Sequence, residues 1–121
     1  MTSAFGDQKV PMMTSINNVG EGWHPLIKEL EDKLNDIDPD FQLQQVKEKF
    51  GTLRYYAQCD KGGVNFHKLI SEAEEKSGTI CEMCGEPAET HSYSGWLKTL
   101  CDEHRRERLA RMDQERKEMG L

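Results

Sequence analysis

Four residues late in the chain, Cys81, Cys84, Cys101 and His104, have the side chains and the spacing to chelate a metal ion: a CxxC pair, a sixteen-residue interval, then a CxxH pair. Zinc takes four soft or borderline ligands in a tetrahedron, and two short chelating pairs joined by one loop supply them at little cost in chain entropy. With all four positions filled by protein there is no open place for an activated water. The pattern therefore points to structural Zn2+ and away from metal catalysis. A CxxC redox couple would leave the CxxH pair unexplained. Cys59 lies outside the set, as a small strand-end residue with no assigned chemistry.

These ligands need a frame. Gly85, directly after the second cysteine, permits a tight knuckle. Glu86 to Leu100 reads as a short hairpin in which Trp96 and Leu97 are expected to cover the metal or dock it on the rest of the chain. Cys101 to Met119 reads as a closing helix, with Cys101 and His104 three residues apart on the face of its first turn. Its thin apolar stripe of Leu109, Met112 and Met119 is expected to pack on the body.

Upstream, Trp23, Leu26, Ile27, Leu30, Leu34 and Ile37 recur at helical spacing. Pro25 suits the first turn, and Asp38-Pro39-Asp40 ends the helix. Phe41 to Phe50 and Thr52 to Gln58 predict two strands turning near Gly51, with room for a bulge across Gln44-Gln45-Val46. Asp60-Lys61-Gly62-Gly63 predicts a loop. Phe66, Leu69, Ile70 and Ala73 define a second helix capped near Ser77-Gly78, with Glu72, Glu74 and Glu75 pointing mostly outward. Residues 1–20 show no sustained period and read as a flexible arm. The expected organisation is thus an arm over 1–20, a helix, hairpin, helix lobe over 21–78 and a zinc module with a long terminal helix over 79–121.

The 121 residues carry a net charge of -6, with 31% charged and 36% hydrophobic residues. That balance opposes bulk attraction to phosphate backbones or anionic membranes, though it leaves room for a local basic face. No apolar run approaches the roughly 20 residues of a membrane helix, and residues 1–20 do not read as a signal peptide. A cytoplasmic location follows as an expectation, and in that reducing compartment clustered cysteines suit metal better than disulfides.

Two surfaces could bind a partner. Lys47, Lys49 and Arg54 beside Tyr55 and Tyr56 could make a basic, aromatic platform for a nucleic acid strand. Arg105, Arg106, Arg108 and Arg111 near the last helix start could touch phosphates. The six acids between Cys101 and Met119 offset the six bases there, however, and spacings such as Asp102 to Arg106 and Glu107 to Arg111 predict surface ion pairs. No phosphate-cradling glycine loop, Ser-His-Asp set or paired-carboxylate signature is recognisable.

Ile80 to Arg105 resembles the treble-clef zinc finger of TraR/DksA-type transcription regulators, which carry CxxCG, a hairpin, then CxxC entering a helix. Here His104 replaces the last cysteine and the long coiled coil of those regulators is missing, so polymerase binding does not carry over. Thr99-Leu100-Cys101-x-x-His104-Arg105-Arg106 is similar to the metal scaffold of HNH-type nucleases. Catalysis there uses an Asp-His pair on the intervening hairpin, where this chain has Thr90-His91-Ser92, and His91 reads as a solvent-facing residue.

A wider pattern joins Gly20-x-Gly22-Trp23, Val46 to Tyr56, the CxxCG knuckle and Gly95-Trp96-x-x-Thr99-Leu100-Cys101-Asp102-x-His104. It resembles a family of small zinc-finger proteins from phages, prophages and bacterial genomes. The resemblance spans Gly20 to His104, and implies a phage or bacterial origin and a single unit of hairpin and finger.

The fold class expected is α+β. The function expected is that of a non-enzymatic, zinc-stabilised binding protein engaging a host macromolecule, foremost a protein of the transcription or defence machinery. A nucleic-acid-binding protein using Lys47, Lys49, Arg54 and Tyr56, or Arg105 and Arg108, is the alternative, and a degenerate nuclease the weakest reading.

Overall fold

The computed structural model describes residues 18–61 and 63–120. Most of the expected arm, residues 1–17, lies outside them. Its last three residues are docked: Val19 is buried in the core, and the Val19 carbonyl lies 3.3 Å from His24 Nε2. The fold is α+β, with three helices and two antiparallel two-stranded sheets among the described residues. No helix among the described residues is long and apolar enough to cross a membrane.

A turn of 3-10 helix, Glu21–Trp23, leads into α1, His24–Ile37, with Pro25 in the first turn as expected. Leu26, Ile27, Leu30 and Leu34 form its buried stripe. Buried Asp38 ends the helix by accepting the N–H groups of Asp40 at 3.0 Å and Asp60 at 2.9 Å, which ties the helix end to the segment after the hairpin. The Asp60 N–H outweighs burial and holds the Asp38 carboxyl below its ordinary value.

β1, Gln42–Lys49, pairs with β2, Thr52–Gln58, in a register that sets Val46 opposite Tyr55 and Lys47 opposite Arg54. The register shifts between Leu43 and Gln45. This bulge has a packing reason. Leu43 and Val46 are three apart and would face opposite sides of a regular strand, and the extra residue lets both pack on the core. The turn is two residues long, with Phe50 at φ 56° and Gly51 at φ 84°, both in the left-handed region that tight hairpins require.

α2, Gly63–Ser77, begins at Gly63, one residue inside the expected loop. Phe66, Ile70 and Ala73 enter the core, where Phe66 meets Phe41 edge-on at 5.4 Å. The end of α2 also completes the sheet. Ser77 Oγ accepts the Leu53 N–H at 2.8 Å and Glu74 Oε2 accepts the Tyr55 N–H at 2.9 Å, which covers the edge of β2. Glu74 therefore turns inward, against expectation, while Glu72 and Glu75 are exposed. Tyr55 donates its hydroxyl to Glu31 at 3.0 Å, and burial, with the Glu31 carboxylate, pushes the phenol well above its ordinary pKa.

The second hairpin joins β3, Glu89–Tyr93, to β4, Trp96–Leu100, through Ser94 and Gly95, again two residues at positive φ. α3, Asp102–Glu118, follows directly and has no buried residue. This corrects the expectation of a core-packing stripe: Met112 is half-buried against a small cluster containing Tyr93 and Leu100, but Leu109 and Met119 are exposed. The ion pairs expected of Asp102 with Arg106 and Glu107 with Arg111 do not form. Lys28 with Asp32 and Asp113 with Lys117 do, at 4.0 and 3.5 Å on the open surface where they contribute little.

Trp96 is a second correction. It is 71% exposed and covers neither the ligands nor the first hairpin. It stands beside the two-residue turn, at the far tip of the hairpin. Trp23 makes the connection instead: fully buried, it donates Nε1–H to the Ile80 carbonyl at 2.9 Å.

Candidate metal centre

The strand-like bridge between Ile80 and Pro87 closes a knuckle whose turn is Cys81-Glu82-Met83-Cys84. Inside it Cys81 N–H donates to the Glu86 carbonyl at 2.8 Å and Gly85 N–H to the Cys81 carbonyl at 2.9 Å. Gly85 has φ 89°, the left-handed conformation for which glycine is suited. Opposite the knuckle, β4 delivers Cys101 in extended conformation as the residue capping α3, whose first turn carries His104. One hairpin and one helix start thus bring the second ligand pair to the first.

The four ligand atoms lie within 4.8 Å of one another. Cys84 Sγ is 3.7 Å from Cys101 Sγ, and His104 Nδ1 is 3.6 Å from Cys81 Sγ and 3.2 Å from Cys101 Sγ. Bond lengths of about 2.3 Å to sulfur and 2.0 Å to nitrogen give a tetrahedron with edges of about 3.8 Å between sulfurs and 3.5 Å between sulfur and nitrogen. Those three edges lie close to that figure with Nδ1 as the histidine ligand atom, and the cluster could hold a metal ion. Cys81 and Cys101 are buried, His104 half-buried and Cys84 exposed.

The surroundings favour negative charge on the Cys81 sulfur. Burial raises the Cys81 thiol, but the N–H groups of Cys101, Met83 and Cys84, together with the Cys84 thiol, offset it and bring the pKa down to about 7. Cys84 receives the Glu86 N–H, yet burial and the neighbouring Cys81 and Cys101 sulfurs push it up to about 11. The hydrogen bond to Cys101 and then the Cys81 sulfur hold the His104 imidazole above its ordinary value. A divalent cation satisfies the same cluster by taking the place of these protons.

Residues that spacing did not single out fasten the knuckle to the rest. Glu82 is only 7% exposed, and its carboxylate accepts the Thr99 N–H at 3.1 Å with Lys98 Nζ at 3.4 Å. Its backbone carbonyl accepts the Gly22 N–H at 3.0 Å. Gly22 passes so close that a Cβ there would lie 1.9 Å from the Cys81 carbonyl oxygen. Thr99 Oγ1 donates to the Gly51 carbonyl at 2.6 Å, which links β4 to the tip of the first hairpin. In the sequence Glu82 looks like a surface acid between two ligands.

The candidate binding residues fall into two groups. Lys47 and Arg54 are cross-strand partners on the outward face of the first hairpin, with exposed Tyr56 beside them and Lys47 Nζ 5.9 Å from its ring. Lys49 Nζ lies 5.4 Å from the Phe50 ring at the hairpin tip. Arg105 and Arg108 are half-buried along α3. No hydrogen bond or ion pair joins the groups among the described residues. His91 sits 3.3 Å from Glu89 in a shallow depression shared with Asp102 and Arg105, and Cys59 is half-buried against the core.

The fold and the cluster define an α+β chain with a Cys3His metal-ligand set. Comparison with protein-family models, with curated proteins and with solved structures found no match.

Proposed function

We propose that the chain is a non-enzymatic binding protein whose Cys81, Cys84, Cys101 and His104 hold one zinc ion in a treble-clef finger. The observation that carries this reading is the cluster itself: three sulfurs and one imidazole nitrogen within 4.8 Å of one another, four ligand atoms supplied by the chain. Three thiols and one imidazole suit zinc. The ion's chemistry here is structural. It fixes where α3 starts and holds the knuckle against Gly22 and β4 against Gly51.

The resemblance over Gly20 to His104 supports a phage or bacterial origin, and the net charge of -6 supports a protein as the host partner in the cytoplasm. Affinity capture from bacterial extract, with native and zinc-stripped protein side by side, tests the reading. A host protein retained by the native chain and lost after stripping is the expected result. Equal capture by both forms, or capture of nucleic acid alone, contradicts it.

One observation favours a second reading, nucleic acid binding: the pairing of Lys47 with Arg54 beside exposed Tyr56 on one outward face. It requires affinity for single strands that falls steeply with salt. No binding at low salt discards it.

A further inference from the structure

We infer that the groove between the tip of the second hairpin and α3 is a docking site for an amphipathic acidic peptide segment of a partner protein. The inference rests on the binding-protein reading above and names its surface and the chemistry of its partner. Tyr93, Trp96, Arg108, Met112, Arg116 and Met119 line the groove, with Glu115 as its single acid. Trp96 and Met119 are each 71% exposed, so the apolar walls are open to solvent. At its floor the buried Tyr93 hydroxyl has no hydrogen-bond partner among the described residues, nor does Arg108 Nε.

Charge complementarity selects the occupant. Arg108, Met112, Arg116 and Met119 recur at helical spacing on one side of α3, while Glu103, Glu107 and Glu118 fall on the opposite side. The groove is therefore a basic, apolar strip on a chain of net charge -6. Guanidinium groups bind carboxylates by directed hydrogen bonds, and tryptophan and methionine accept apolar anchors. A short peptide with apolar residues flanked by Asp or Glu satisfies both. A long polyanion meets the repulsion of the whole chain. The acidic side of α3 carries no large apolar residue, so that side of a second copy does not match the strip.

Selection of a random peptide library on the full chain loaded with zinc tests this. Enriched peptides should combine large apolar residues at helical spacing with acids. A synthetic representative should bind at least about ten-fold more weakly to Trp96→Ala and to the Arg108→Ser, Arg116→Ser double variant, with zinc content and Tm unchanged. No enrichment, enriched peptides without acids, undiminished binding by both variants, or displacement by oligo-dT or by self-association would overturn the inference. The variants also separate the two readings. Host protein captured equally by wild type and Trp96→Ala overturns this surface and leaves the binding-protein reading standing. Capture of no host protein by the wild type counts against that reading itself, while the peptide selection still decides the surface.

Discussion

Gly22 and Thr99 show how single positions join the metal-ligand cluster to the rest of the chain. A methyl group on Gly22 would collide with the Cys81 carbonyl, and backbone on both sides leaves little room to yield. Gly22→Ala should lower stability by about 1–3 kcal/mol in urea unfolding, as overpacking does. Thr99→Val keeps the shape but strands the Gly51 carbonyl, at a cost of about 1–3 kcal/mol by the same measurement. Asp38 gives a pH signature. Its carboxyl ionises below the ordinary value in the folded chain, so its contribution is present above about pH 4 and is lost as pH falls through the folded value. Asp38→Asn should lower Tm at pH 7 and flatten the fall of Tm below pH 4. At this scale the Cys81, Cys84, Cys101 and His104 cluster was legible because chelation imposes spacing, and Trp23 because it keeps helical phase with Leu26 and Leu30. Glu82 and Trp96 were not. Burial of an acid depends on a backbone N–H seventeen residues away, and exposure of a tryptophan depends on how far a hairpin tip projects.

Among the elements, α3 is the one whose stability comes least from burial. It has no buried residue, and its start is tied to the cluster by Cys101 and His104. With zinc in the cluster as proposed, its removal by chelation, or Cys84→Ser, should therefore melt α3 and the second hairpin while α1, α2 and the first hairpin persist. Structural zinc contributes about 10–16 kcal/mol in finger peptides, far more than any packing lost elsewhere in this segment. Amide exchange resolved along the chain checks this: protection should vanish beyond Gly78 and remain at Leu30, Leu53 and Ile70. Uniform loss or uniform retention would contradict it. α1, α2 and the first hairpin were legible through their periods, and failing alternation left room for the bulge. What the pattern could not supply was the partner of each edge. The side chains of Ser77 and Glu74 that cap β2 read only as helix-end and surface residues until the strand lies beside them.

Taken as a molecule, the chain has one large core around Trp23, Tyr55 and Phe66 and a small one around Cys81 and Tyr93. Hydrogen bonds of Gly22 with Glu82, Trp23 with Ile80, and Gly51 with Thr99 join them. A ligand cluster that holds zinc would act through those contacts, orienting the basic hairpin face and the α3 groove relative to one another without itself reacting. The most direct test is zinc K-edge X-ray absorption on the purified chain together with its metal content. One zinc per chain, with three sulfurs at about 2.3 Å and one nitrogen at about 2.0 Å, is the expected result. A chain that binds no zinc under reducing conditions, or a site with an oxygen ligand in place of one of the four, would contradict the closed structural site.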